Sequence, residues 1–122
     1  MFNQNPFTSM EKYMFLFKGG DVSKLSPEAQ QAQMQKWLSW IEKLQKDDRY
    51  VSGEPLLPGG KVITGSKKTI TDGPFAESKE IIGGFFIVNA KNLEDATTMA
   101  KDAPDYNFGG SVEVREVMKM DM

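Results

Sequence analysis

The chain has neither cysteine nor histidine. Without cysteine there are no disulfides, thiolate zinc sites, iron–sulfur ligation or cysteine nucleophiles, and a reducing compartment is the default expectation. Without histidine the chain loses the usual general base near neutral pH, the commonest transition-metal ligand and every Ser-His or Cys-His arrangement. Any chemistry must therefore run on carboxylates, Lys, Arg, Tyr or hydroxyls.

An excess of positive charge is missing too: fifteen Lys and Arg stand against seventeen Asp and Glu, a net charge of −2. Nucleic acid is not an expected partner, because phosphate binding normally demands a basic surplus. No run approaches the roughly 20 apolar residues that span a bilayer, and the N-terminus MFNQNPFTSMEK has no signal-peptide pattern. The expectation is a cytoplasmic protein with no membrane partner. At 122 residues one domain suffices, expected over 12–117 with short tails at 1–11 and 118–122, and folding buries about two-thirds of the surface of the unfolded chain.

Lys12 to Lys18 is aromatic-rich and apolar at both parities, as in a strand covered on both faces, and Gly19-Gly20 ends it. Ser26-Pro27 then starts a helix, with a hydroxyl cap followed by a proline whose missing N–H costs nothing at that position. Met34, Trp37, Leu38, Ile41 and Leu44 form its apolar stripe, with Trp40 at the stripe's edge. Tyr50 to Leu57 suits an irregular edge strand. Lys61 to Thr64 and Lys68 to Thr71 suit a hairpin around Gly65-Ser66.

Lys79 to Asn89 fits a central strand in which Gly83-Gly84 permit a bulge or a close backbone approach. Asn92 caps a second helix with Asp95 at its third position, in a variant of the capping box, and Leu93, Ala96, Met99 and Ala100 are its inner stripe. Ser111 to Val117 is the last strand. The order strand, helix, strand, hairpin, strand, helix, strand predicts an α+β ferredoxin-like split βαβ: an antiparallel sheet, two helices on one face and a hairpin insertion. The other face of such a sheet is apolar here and uncovered, which predicts a homodimer.

Residues 69–88, TITDGPFAESKEIIGGFFIV, carry the most specific pattern. With Asp72-Gly73-Pro74-Phe75, its continuation through Glu80, Gly83-Gly84-Phe85 and the later Val112-Glu113-Val114-Arg115, the chain resembles the YCII-related proteins, in the branch named for its Asp-Gly-Pro-Phe run. The resemblance implies a dimeric α+β barrel in which two sheets pack face to face. Related proteins are regarded as enzymes acting through a His-Asp pair, which a chain without histidine cannot supply, and no cofactor or metal is implied. In similar proteins the gene lies near alternative sigma factors, which implies a regulatory module linked to transcription initiation as the alternative to an enzyme or former enzyme.

The candidate catalytic residues are Asp72, Glu77, Lys79 and Arg115. Asp72 is a candidate acid or base, and Glu77, Lys79 and Glu80 are charges beside it. Against this, Asp-Gly-Pro makes a turn on its own, with the aspartate on backbone N–H groups and glycine at positive φ. Strand alternation sets Glu113 and Arg115 on the face opposite Val112 and Val114, where Arg115 either clamps an anion or pairs with Glu77, Glu80 or Glu113. Asp47-Asp48 and Asp102 with Asp105 fit solvated surface better than a hard-cation site. The expected ligand is a small anionic or aromatic molecule in a cleft between the sheets of the dimer.

Overall fold

The computed structural model describes residues 10–73 and 80–120. Six strands and two helices follow in the order β1 (Glu11–Lys18), α1 (Pro27–Lys46), β2 (Tyr50–Pro55), β3 (Lys61–Thr64), β4 (Thr69–Asp72), β5 (Ile82–Ala90), α2 (Leu93–Ala100) and β6 (Ser111–Glu116). Antiparallel pairing orders the main sheet β2-β5-β1-β6, and β3 and β4 form a separate two-stranded hairpin. With the hairpin set aside this is the ferredoxin-like order expected from the sequence, with β1 and β5 at the centre.

Local chemistry accounts for the element ends. The Ser26 hydroxyl accepts from the Ala29 N–H at 3.1 Å, Pro27 takes the first helical position, and Lys43 and Lys46 sit in the last turn of α1, where cations suit the helix's negative end. Gly19 and Gly20 both take positive φ, which stops β1. Opposite Phe17-Lys18 the register of β5 shifts, leaving Gly83 as an extra residue, and a Cβ on Gly84 would lie 2.8 Å from the Glu54 carbonyl oxygen. The glycine pair thus serves both as a bulge and as a close approach.

The cap of α2 departs in detail from the expected box. Asn92 Oδ1 accepts from the Asp95 N–H at 2.8 Å, but the Asp95 carboxylate turns to the Lys91 N–H at 2.9 Å and to Arg49 Nη1 at 2.7 Å. Burial works to raise this carboxyl. The Lys91 N–H and the Arg49 guanidinium outweigh it and hold Asp95 below the ordinary carboxylate range. A group depressed on folding adds stability that is present above its unfolded pKa of about 4 and is lost as pH falls through the folded value. Asp95→Asn should therefore cost about 2 kcal/mol at pH 7, and urea titrations should show wild type and variant converging below pH 4. A gap that does not narrow at all as pH falls below 4 would show that the carboxylate's charge is not the cause.

The core lies between the helices and the facing side chains of the sheet, from Tyr13 and Phe15 through Phe86, Val88 and Ala90 to Trp40, Leu44, Ala96 and Ala100. The expected α1 stripe needs correction. Met34 and Leu38 are exposed, whereas Gln33 and Trp40 are buried. Burying Gln33 is tolerated because its amide donates to the Pro104 carbonyl at 2.7 Å and to Asp105 Oδ1 at 2.6 Å. The helix consequently turns toward Gln33 and Trp40 and swings Met34 and Leu38 outward. Leu93, expected on the inner stripe of α2, is exposed as well.

Candidate functional site

Because α1 is turned in this way, a cleft of about 470 Å³ opens between it and the sheet, at the end where β1 stops and β6 begins. Trp37, Met34 and Leu38 form the helix wall, and Phe17, Phe86 and Tyr50 form the sheet wall. The aromatic rings support one another. Phe17 meets Trp37 and Phe86 edge-on at 4.8 Å, and Tyr50 meets Phe86 edge-on at 5.1 Å. Gly53 on the edge strand keeps this wall open, since a Cβ there would come within 2.5 Å of the Phe86 ring and 2.9 Å of the Tyr50 hydroxyl.

The polar end of the cleft is Asp105, in the loop after α2. Its Oδ1 accepts from Gln33 and from the Trp37 indole N–H at 3.0 Å, so both hydrogen bonds come from neutral groups of α1. Glycines frame the residue: a Cβ on Gly20 would lie 2.9 Å from Oδ2, and one on Gly110 would lie 2.7 Å from the Asp105 carbonyl oxygen. Tyr50 and Glu54 add a phenol and a second carboxylate. Burial, and then the nearby Glu54 charge, raises the phenol above its ordinary range and keeps it protonated as a donor.

Of the sequence-predicted catalytic residues, the two that are described, Asp72 and Arg115, do not line this cleft. Asp72 stands exposed at the end of β4 and pairs with the Lys61 ammonium across the hairpin. Gly73 is absent from the positive-φ glycines. It is glycine for want of room, because a Cβ there would run into the Val62 side chain. Glu77 and Lys79 lie outside the described residues, as do Pro74 and Phe75.

Arg115 lies on the open face of the sheet, exposed, with Nη1 3.7 Å from Glu113. Glu113 makes its closer pair with Lys18 at 2.7 Å, and Lys18 is also 3.9 Å from Glu80. The hydrogen bond and charge of Lys18 depress the Glu113 carboxyl, and the same hydrogen bond raises Lys18. Lys18, Glu80, Glu113 and Arg115 thus form one charged group beside the apolar centre of that face. Among the described residues no group of three acidic side chains is placed to hold a metal ion, and no helix is long and apolar enough to cross a membrane.

Two sequence signals point to the cleft in retrospect. Gly19-Gly20 and Gly109-Gly110 flank neighbouring strands, and Gly20 and Gly110 both pack on Asp105. Trp37 and Trp40 also divide their roles, Trp37 as cleft wall and Trp40 as core, the reverse of the order expected from the stripe.

Comparison with known proteins agrees with the architecture. An uncharacterized protein of Rhizobium meliloti (strain 1021) is 43% identical over 47 residues, a match that spans 38% of this chain and 38% of that relative. The model of the YCII-related domain matches residues 11–121, from the first strand to beyond the last. On that match, and on the split βαβ sheet that carries the cleft, the chain belongs to the YCII-related family.

Proposed function

We propose that the protein is a small-molecule-binding domain that works as a homodimer and takes a compact, largely apolar ligand into the cleft between α1 and the sheet. The observation that carries this is a 470 Å³ cavity whose walls are aromatic and aliphatic and whose polar groups converge on Asp105, Tyr50 and Glu54. Pre-formed apolar clefts of this size with a few oriented polar groups are where small ligands bind. The cleft lies on the helix side of each protomer, so a ligand there does not depend on a cavity between two sheets.

The dimer is supported by the opposite face of the sheet. Met14 and Leu16 on β1 stand beside Ile87 and Phe85 on β5, half-buried on the face opposite the core that α1 and α2 cover. A second copy covers such a patch most simply, with the Lys18, Glu113 and Arg115 charges at its margin. The run Asp72-Gly73-Pro74-Phe75 supports placing the chain in the branch of the family named for it. A catalytic reading comes second and rests on Tyr50: a phenol held protonated beside Glu54 in an apolar cleft is a hydrogen-bond donor suited to stabilising charge that develops on a bound oxygen.

The test is binding of a neutral aromatic, 2-phenylethanol, followed by saturation-transfer NMR. A dissociation constant of about a millimolar or tighter is expected for nine heavy atoms. The double substitution Met34→Trp with Leu38→Trp fills the cleft mouth from two exposed helix positions, so the fold should hold while the transfer signal disappears. An undiminished signal in that variant would place the ligand elsewhere.

A further inference from the structure

We infer that the cleft selects an organic cation, a compact aryl- or alkylammonium whose nitrogen meets Asp105, rather than an anion. This rests on the small-molecule reading above and names its ligand class. Among the described residues, three that line the cleft carry charge, Lys18, Glu54 and Asp105, and two of these are carboxylates. The one cation is already committed, since Lys18 Nζ lies 2.7 Å from Glu113 and 3.9 Å from Glu80 on the other face of the sheet. Among the described residues Asp105 takes part in no ion pair, and only its Oδ1 accepts side-chain hydrogen bonds, both from neutral donors.

Asp105 is therefore held in place but not neutralised. Two hydrogen bonds and the close approach of Gly20 and Gly110 fix it, which leaves Oδ2 oriented and without a donor among the described residues. An apolar ligand that closed over this carboxylate would strip its water and leave a charge unpaired, which is costly. A ligand that brings an ammonium avoids that cost and gains a charge-assisted hydrogen bond. Trp37, whose indole N–H anchors the carboxylate, is also a wall of the cleft, so an aromatic face adjoins the charge, as in sites that bind organic cations. An anionic ligand would meet Asp105 and Glu54, with no uncommitted cation among the described residues of the cleft to receive it.

The experiment compares three near-isosteric probes on the intact wild-type protein by calorimetry at low salt: 2-phenylethylammonium, 2-phenylethanol and phenylacetate. The ammonium should bind about tenfold or more tightly than the alcohol, the gain expected from a hydrogen bond to a charged group, and phenylacetate should bind more weakly than both. Asp105→Asn keeps an oxygen for Trp37 and Gln33 but removes the charge, and it should bring ammonium and alcohol to equal affinity. Equal binding of ammonium and alcohol to wild type, or a preference for phenylacetate, overturns the cation assignment and leaves the small-molecule reading standing. An ammonium preference that survives in Asp105→Asn overturns the assignment of the nitrogen to Asp105. If none of the three binds at millimolar concentration, both proposals fall. The wild-type comparison needs no variant, so the inference stays open to refutation even if Asp105→Asn does not fold.

Discussion

Phe15→Ala should lower the stability of the protein by about 3–5 kcal/mol, the usual cost of emptying a buried phenylalanine site. Phe15 has no exposed surface. Its ring stacks on Trp40 at 6.2 Å with the two planes nearly parallel, and the residue lies across from Phe86 on β5 and Val114 on β6. It is thus held from both flanking strands and from α1, and none of these can collapse into the space it leaves without giving up other contacts. Domains of this kind have about 5–15 kcal/mol of stability in all, so the loss is a large share of it. Urea unfolding should show a midpoint shifted sharply down with little change in slope. A shift worth less than about 1 kcal/mol would mean that the site relaxes freely and that the core is not centred on this ring.

Leu16→Lys, one residue further on, should leave the fold intact and abolish the proposed dimer. Alternation along β1 sends Leu16 to the open face of the sheet, beside Phe85 and opposite Glu113 on β6. A lysine there gains an acidic cross-strand neighbour, so the protomer should keep its circular dichroism. In the dimer the same substitution places an ammonium from each copy in an apolar contact, and the desolvation penalty is several kcal/mol per ion. Light scattering at micromolar concentration should give twice the chain mass for wild type and the single-chain mass for the variant. A wild type that elutes as a monomer would remove the dimer, and a variant that stays dimeric would move the interface off this face. Unfolding of a dimer depends on protomer concentration, so the Phe15 and Leu16 variants are best compared at one concentration.

The contrast between Phe15 and Leu16 also shows how far the sequence can be read. Strand and helix positions were legible because their signals are local: the Ser26-Pro27 start of α1, the Asn92 cap, and the glycine pairs that stop β1 and bend β5 all act within a turn or a strand. Family membership was legible for the same reason, carried chiefly by the run 69–88 and supported by Val112-Glu113-Val114-Arg115.

What the sequence did not disclose depends on partners distant along the chain. Gln33 looks like a surface residue until Pro104 and Asp105 supply its hydrogen bonds, 71 and 72 residues away. That pairing sets which side of α1 is buried and therefore whether Met34 and Leu38 belong to the core or to a cleft. Lys18 is a free cation by sequence and is committed to Glu113, 95 residues on, only once β6 lies beside β1. Asp72 stands in the most specific motif of the chain yet pairs with Lys61 on an exposed hairpin, while Asp105, in no motif, takes the polar end of the cleft. By itself, then, the sequence determined the order of elements, the family and the list of chemistries that lack of histidine and cysteine forbids. Only the tertiary structure decided which charges are spent on one another and which one faces a cavity, because a hydrogen bond or ion pair between distant residues exists only when the sheet and helices have brought its two ends together.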